Sequence, residues 1–421
     1  LQTRSLLSHL ETIVEETPNL PTPCYIYDAP ALERRLAELT GLFGDEFTIS
    51  YAVKSNPNPE ILRRIAAVTG HLDASSFFEV VRAIEAGLSP EQISYSGPGK
   101  RDSELERFVG SGGELVVEAL DEIESVAAIA AGKGMRQRIL LRINPDSIPK
   151  GFGASMSKKP SQFGVDEGQA AQVIARIQSL PSLDLAGFHI YAGSNCVQAE
   201  AIIENITNMA RLFAEAASVS GAPVRKLIFG AGFGLPYHDG QEALDVVAVR
   251  AGLAPALAEI ASNPLLADAQ KVLEIGRWVV GPCGALITSC LSRKESRGLQ
   301  VAVCDAGFNT HLAACGMMGS VFQKNWPIHR LGPSEGEAEE YLLAGPLCTS
   351  IDTLARRITL PPLHKGDRIA VLMSGAYGLT ASPDGFISHP AAWEYLWTGE
   401  TLQDITTTRR ATADAILPGR E

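Results

Sequence analysis

Phe47-Thr-Ile-Ser-Tyr-Ala-Val53, Pro59–Val68, His71-Leu-Asp-Ala-Ser75, Ser76–Ala86 and Gln92-Ile-Ser-Tyr-Ser96 follow one another with little between them. Short β-branched or apolar runs alternate with segments of helical spacing rich in good helix formers. The same alternation continues outward. Further runs are Glu114–Glu118, Arg138–Ile143, Leu185–Tyr191, Lys226–Gly230 and Lys271–Ile275, and Asp121–Ala131, Asp166–Leu180, Ala199–Ser218 and Gln241–Ile260 have helical spacing. Strands alternating with helices argue for parallel βαβ units, and eight of them in roughly 250 residues is the size of a (β/α)8 barrel.

After Arg277 the texture changes to short apolar strands broken by Gly, Pro and Ser: Gly284–Cys290, Leu299–Asp305, Glu340–Leu343 and Arg368–Met373. The expected fold is therefore α/β plus all-β, a (β/α)8 barrel over 30–275 with a C-terminal β-sandwich or barrel made of 1–29 and 276–421. The extended run Cys24–Asp28 precedes the first barrel strand and is expected to pair with the β-rich domain. Asp146–Gly164 is too long for a routine connection and is a lid candidate.

The chain has 421 residues, 45% hydrophobic and 20% charged, with a formal net charge of -12. That balance disfavours a nucleic-acid partner, which needs a basic face. Seven scattered cysteines (Cys24, Cys196, Cys283, Cys290, Cys304, Cys315, Cys348) include no C-x-x-C pair, which fits reduced thiols and no metal site. The amphipathic stretch Leu1–Glu16 carries Glu11, Glu15 and Glu16 and lacks the layout of a signal peptide, and no apolar run is long enough for a bilayer. A cytoplasmic enzyme without membrane partners is expected.

In such a barrel functional side chains sit at the C-terminal ends of the strands, and phosphate often binds after strands seven and eight. That rule selects Lys54, Asp73 with Ser76, Arg142, His189, Gly230-Ala-Gly-Phe-Gly234 and Glu274-Ile-Gly-Arg277. Each has two readings. Lys54 is a solvated residue just past its strand, or a desolvated amine suited to forming an imine with an aldehyde cofactor. The glycine run permits tight packing, or its bare backbone N–H groups cradle a phosphate. Glu274 pairs with Arg277, or keeps a cofactor's pyridine nitrogen protonated and so makes the ring an electron sink. His189 is a satisfied core histidine, or it stacks on that ring.

Taken together these residues resemble the fold-type III pyridoxal-5'-phosphate (PLP) decarboxylases, the group with ornithine, diaminopimelate and arginine decarboxylases. The likeness spans about residues 20–400. Tyr51-Ala-Val-Lys54-Ser-Asn56 is similar to the family's Schiff-base segment, and Asp73-Ala-Ser-Ser-Phe-Phe-Glu79 to its second-strand motif near the cofactor. Arg142 in Leu-Arg-Ile and His189 match the family pattern. The resemblance implies that Ser194, Gly232, Gly276, Arg277 and Tyr377 of Ser-Gly-Ala-Tyr-Gly hold the phosphate, and that Glu274 faces the pyridine nitrogen. It implies that Cys348, in Gly345-Pro-Leu-Cys-Thr-Ser-Ile-Asp352, reaches into a partner subunit's site and protonates Cα, so that a homodimer shares its active sites. Otherwise Cys348 is a small buried hydrophobe. Thr349 and Asp352 of the same segment are expected at the substrate.

Departures from the family bear on substrate. Gly-Gly-Gly-Phe is Gly230-Ala-Gly-Phe233 here, Glu-Pro-Gly-Arg is Glu274-Ile-Gly-Arg277, and Tyr191-Ala192 lengthens the link from His189 to Ser194. In members acting on basic amino acids an acidic residue follows the cysteine. Here that position is Thr349. A carboxylate on a distal ammonium is worth about 1.5–3 kcal/mol, so its absence argues against a free ammonium at the substrate's far end. Asp305-Ala-Gly-Phe-Asn-Thr-His-Leu-Ala-Ala-Cys315 also lacks the arginine and aromatic pattern associated with diaminopimelate.

Gly-Pro-Leu-Cys-Thr, Ser-Gly-Ala-Tyr-Gly-Leu and Gln-Phe-Gly-Val-Asp are more similar to a biosynthetic subgroup acting on carrier-protein-linked or citrate-conjugated amino acids. Lys150, Lys158 and Lys159 of the lid candidate are solvated, or meet carboxylates or a carrier's phosphopantetheine phosphate. The alternatives are a conventional decarboxylase of free diaminopimelate, lysine or ornithine, an alanine-type PLP racemase, and a non-catalytic PLP carrier. The anion Glu274 argues against a racemase, which faces the pyridine nitrogen with a cation. The second domain argues against a bare carrier.

Overall fold

A computed structural model describes residues 2–155, 160–317 and 324–407. The chain forms two compact units, Arg35–Leu235 with Glu242–Trp278, and Leu1–Arg34 with Pro236–Gln241 and Val279–Glu421. The breaks anticipated after residues 29 and 275 fall after 34 and 278, and 236–241 leaves the barrel chain for the other unit.

The first unit is a closed, all-parallel barrel of β1 Thr48–Ala52, β2 Leu72–Ala74, β3 Ile93–Tyr95, β4 Glu114–Val117, β5 Gln137–Asn144, β6 Leu183–Ile190, β7 Lys226–Gly230 and β8 Gln270–Ile275. Each strand pairs with its neighbours in sequence, and β8 returns to β1. All eight anticipated runs are strands. Side chains fill the interior, as barrel packing requires. Val116, Leu140, Ile228 and Val272 form an apolar cluster. At the N-terminal ends of β4 and β7, Glu114 and Lys226 form a buried ion pair.

Local chemistry fixes where the strands end. Asn58 caps the helix Pro59–Thr69 by accepting from Glu60 N–H, with a proline in its first turn, and left-handed Gly70 stops it. Ser76 caps Phe77–Glu85 by accepting from Glu79 N–H at 3.2 Å, while the Glu79 carboxylate accepts from Ser75 N–H at 2.7 Å. These caps set the two turns that follow β1 and β2. The stretch 241–260, expected as one helix, is two. Asp245 caps Val246–Gly252 by accepting from Ala248 N–H, and Pro255 sits in the first turn of Ala254–Ser262, where its missing N–H costs nothing.

In the second unit a nine-stranded mixed sheet has Gly284–Ser296 at its centre. Cys24–Asp28 joins this sheet as anticipated, antiparallel to Gly284–Ser296 and parallel to Trp393–Trp397. The amphipathic N-terminal stretch is the helix Gln2–Glu16, which buries Leu6, Leu10 and Ile13 against Ile26, Ile287 and Leu372. Of the lid candidate, Ala154–Ser155 pairs with Gly193–Ser194, and just past its end Val165–Asp166 pairs with the end of β5. Lys150 is exposed, and Lys158 and Lys159 lie outside the described residues. Among the described residues no helix is long and apolar enough to cross a membrane, and no cluster of His, Cys, Asp or Glu is placed to hold a metal.

Candidate active site

Lys54 sits in the short turn Val53–Ser55 that leaves β1, its side chain 39% exposed. It is neither freely solvated nor sealed. Its Nζ lies 3.4 Å from Ser75 Oγ, 3.7 Å from Glu274 Oε1 and 3.9 Å from Asp73 Oδ2, and 5.6 Å from the centre of the Tyr191 ring. Parallel pairing produces this meeting: β1 lies between β2 and β8, so the ends of all three converge.

The two carboxylates differ. Burial alone would raise Glu274, but the Lys54 ammonium and the His189 hydrogen bond outweigh it and hold Glu274 well below the ordinary carboxylate range. Burial raises Asp73 far above that range, and the Glu274 charge adds to the rise. The hydroxyls of Ser94 and Ser96, each 3.1 Å away, and Lys54 oppose it only in part. The pKa values of the two carboxylates facing this amine are thus pushed in opposite directions.

His189 Nε2 lies 3.0 Å from Glu274 Oε2. Burial lowers the imidazole's pKa, against the pull of Glu274. Its Nδ1 is buried without a hydrogen-bond partner in the protein. Neighbouring Arg142, opposite His189 in the β5–β6 register, donates from Nη1 to both oxygens of Glu118 at 3.1 Å and lies over the Phe163 ring. Glu118 also accepts from Gly97 N–H at 2.7 Å and Gly164 N–H at 3.0 Å. Sequence reasoning passed over Glu118, although the rule of strand ends that selected Arg142 applies to it equally at the end of β4.

At the ends of β6 to β8, Arg277 Nη2 donates to Ser194 Oγ at 3.1 Å, so the lengthened link after His189 still brings Ser194 to the Gly-Arg pair. Gly232 has φ +68°, and a Cβ there would lie 2.6 Å from Gly193 O. A Cβ on Gly276 would lie 2.1 Å from Ser55 Oγ. Gly232 is therefore required by its backbone angle and by the Gly193 carbonyl, and Cys196 N–H to Gly232 O at 3.0 Å ties it to the segment that carries Ser194, while Gly276 adjoins Arg277 in sequence and packs on the Ser55 hydroxyl.

The second unit holds the remaining candidates. Tyr377 has φ +52°, in the left-handed region. Cys348 is exposed in the turn after Glu339–Ala344, with Thr349 half-buried beside it. Asp352, expected at the substrate, is instead buried. Its Oδ1 accepts from Phe308 N–H and its Oδ2 from Leu347 N–H, both at 2.8 Å, so its carboxylate is committed to the protein's own backbone.

The barrel residues fit PLP. They supply one amine for an aldehyde, a buried anion beside it for the pyridine nitrogen, a flat imidazole with an unmatched Nδ1, and a serine–arginine pair for a phosphate. The comparisons agree. The family described as pyridoxal-dependent decarboxylase, pyridoxal binding domain, matches residues 30–281. The L-glutamyl-[BtrI acyl-carrier protein] decarboxylase of Niallia circulans is 31% identical over 95% of this chain and 94% of its own. Diaminopimelate decarboxylase of Vibrio cholerae serotype O1 is 31% identical over 86% of this chain and 84% of its own. The crystal structure of Helicobacter pylori diaminopimelate decarboxylase complexed with L-lysine superposes with a TM-score of 0.85 at 28% identity, covering 96% of this chain and 97% of that one.

The chain belongs to the pyridoxal-dependent decarboxylase family. It is a PLP-dependent carboxy-lyase acting on an amino-acid substrate, with the barrel-plus-sheet architecture of that family.

Proposed function

We propose that the enzyme decarboxylates a modified amino acid, carrier-linked or otherwise conjugated at its far end, in a biosynthetic pathway. The observation that carries this reading is the loop around Cys348. Thr349 stands where members acting on basic amino acids place an acid, and the loop's own carboxylate, Asp352, is spent on backbone N–H groups. The loop thus presents no carboxylate to a distal ammonium. The similarity to a carrier-protein glutamyl decarboxylase over nearly the whole chain supports the same substrate class. The diaminopimelate decarboxylases among the relatives favour the second reading, a free diamino acid.

Bound PLP supplies an electron-poor ring that takes up the electron pair left when CO2 departs. Lys54 is the amine that holds the cofactor. Glu274, ionised beside it, keeps the pyridine nitrogen protonated. His189, its pKa lowered by burial, would flank the ring, and Asp73, its pKa raised by burial, would stand beside Lys54. Arg142, fixed by Glu118, braces the wall beside His189. Ser194, Gly232, Gly276 and Arg277 hold the phosphate, with Tyr377 added on the strength of the resemblance. Cys348, from the other subunit of a homodimer, delivers the proton that replaces CO2 at Cα. A cytoplasmic setting is in keeping with the free thiol state of all seven cysteines.

Thr349→Asp tests the substrate assignment. It restores an acid after the cysteine, so it is expected to raise kcat/KM for free lysine or ornithine by about tenfold, the lower part of the range for one charge-assisted contact. An unchanged preference in that variant would remove Thr349 as the discriminator.

A further inference from the structure

Cys348 is the exposed cysteine of the chain, the other six being buried, and it rides on a turn that Asp352 ties to a separate loop. Asp352 is 4% exposed. One of its oxygens accepts from Leu347 N–H, the residue before Cys348, and the other from Phe308 N–H in a separate loop. Both loops close tightly on the carboxylate. A Cβ on Gly307 would lie 2.2 Å from Oδ1, and one on Gly345 would lie 2.2 Å from Oδ2. The turn is also hydrogen-bonded to itself through Gly345 N–H to Asp352 O at 3.1 Å and Thr349 N–H to Leu347 O at 2.8 Å.

We infer that Asp352 is a positioning residue for Cys348, its carboxylate pinning Leu347 to Phe308 so that the thiol is presented in one place. This rests on the reading of Cys348 as the proton donor to Cα. A carboxylate suits the task because both oxygens accept, whereas a carboxamide turns an NH2 against one of the two N–H donors. Burial raises the Asp352 carboxyl above its ordinary range, and the two backbone N–H groups and His389 oppose that rise. The group is thus kept for what it holds, since a buried carboxylate with these few partners is an expensive choice.

The test compares Asp352→Asn, Gly345→Ala, Cys348→Ala and the double variant Asp352→Asn/Cys348→Ala, each loaded with PLP and checked by cofactor absorbance and melting temperature. Should Asp352→Asn fail to fold, Gly345→Ala carries the test, because its methyl group displaces the same carboxylate. The expected result is amide exchange at Phe308 and Leu347 faster by about tenfold, the loss of one hydrogen bond. With it kcat falls about tenfold while KM stays within about twofold, as for an interaction acting only in the transition state. The share of turnover ending in deaminated product rises, and the double variant is no worse than Cys348→Ala.

A loss that multiplies onto that of Cys348→Ala, or a wild-type product share in Asp352→Asn, overturns the inference. Wild-type rate and products in Cys348→Ala itself would instead remove the proton-donor reading, and Asp352's role with it. The two failures are therefore told apart by the single cysteine variant.

Discussion

Glu274, proposed as the anion for the pyridine nitrogen, has His189 Nε2 at 3.0 Å, Lys54 Nζ at 3.7 Å and almost no solvent. Glu274→Gln keeps the shape and removes the charge. It is expected to retain PLP, seen in the cofactor's absorbance, while kcat drops by at least about 100-fold, the scale of losing one preorganised charge in a closed site. Full activity would refute the assigned role. His71, deeper in the barrel, makes a separate prediction. Burial first, and then the Lys226 charge, lower it to about 3, and its Nδ1 meets Ser50 Oγ at 2.9 Å. A histidine depressed in the fold is neutral there, so its contribution is whole above the unfolded value near 6.5. It is lost as pH falls toward the folded value, because the unfolded chain takes up the proton. Between those limits wild type should lose about 1.4 kcal/mol more per pH unit than His71→Gln in denaturant titrations. Equal slopes would mean that His71 is protonated in the fold. Lys54, Asp73, His189, Glu274 and Arg277 could be picked out as candidates from strand ends alone, whereas Ser194 rested on the resemblance; the structure brings Lys54, Asp73 and Glu274 together and Ser194 to Arg277. The surroundings of Asp352 were not legible, because sequence shows that a carboxylate is present and not which backbone groups it faces.

The barrel strands were the most legible elements, since buried parallel strands are continuous apolar runs separated by helix-length crossovers. Legibility faded where that contrast fails. Thr353-Leu-Ala-Arg-Arg-Ile-Thr-Leu360 is a strand with two arginines at its middle, and Arg357 has φ +50°, so its alternation is broken in sequence as in space. Trp393–Trp397 is short and one-sided, and it becomes a strand by pairing with Cys24–Asp28, a partner more than 360 residues away. The buried polar pair at the N-terminal ends of β4 and β7 was equally hidden, as Glu114 and Lys226 are 112 residues apart. Removing Lys226 leaves Glu114 with the half-exposed Arg138, 3.7 Å from its Oε1, as its remaining ion-pair partner among the described residues. Lys226→Met should cost up to about 3 kcal/mol of unfolding free energy, the low end for breaking a buried pair, whereas Lys226→Met with Glu114→Leu should recover most of it. Chemical denaturation of the three proteins decides, and a harmless single variant would show that Glu114 is satisfied without Lys226.

At the scale of the molecule the order of motifs along the chain carried the most. Amine after the first strand, imidazole at the sixth, glycine turn after the seventh and Glu-x-Gly-Arg after the eighth lie around one barrel mouth because parallel strands end on one side. The division into units was less legible, since 236–241 crosses between two barrel elements without any composition shift. Substrate choice belongs to this scale too, and on the proposed reading it is set by the loop around Cys348. The most direct measurement is CO2 release by the PLP-loaded enzyme over a panel of free lysine, ornithine, arginine, diaminopimelate and glutamate beside citryl-conjugated diamino acids and carrier-linked glutamate. Turnover confined to the conjugates is the predicted result. Efficient turnover of a free basic amino acid would contradict the account and make this a conventional decarboxylase.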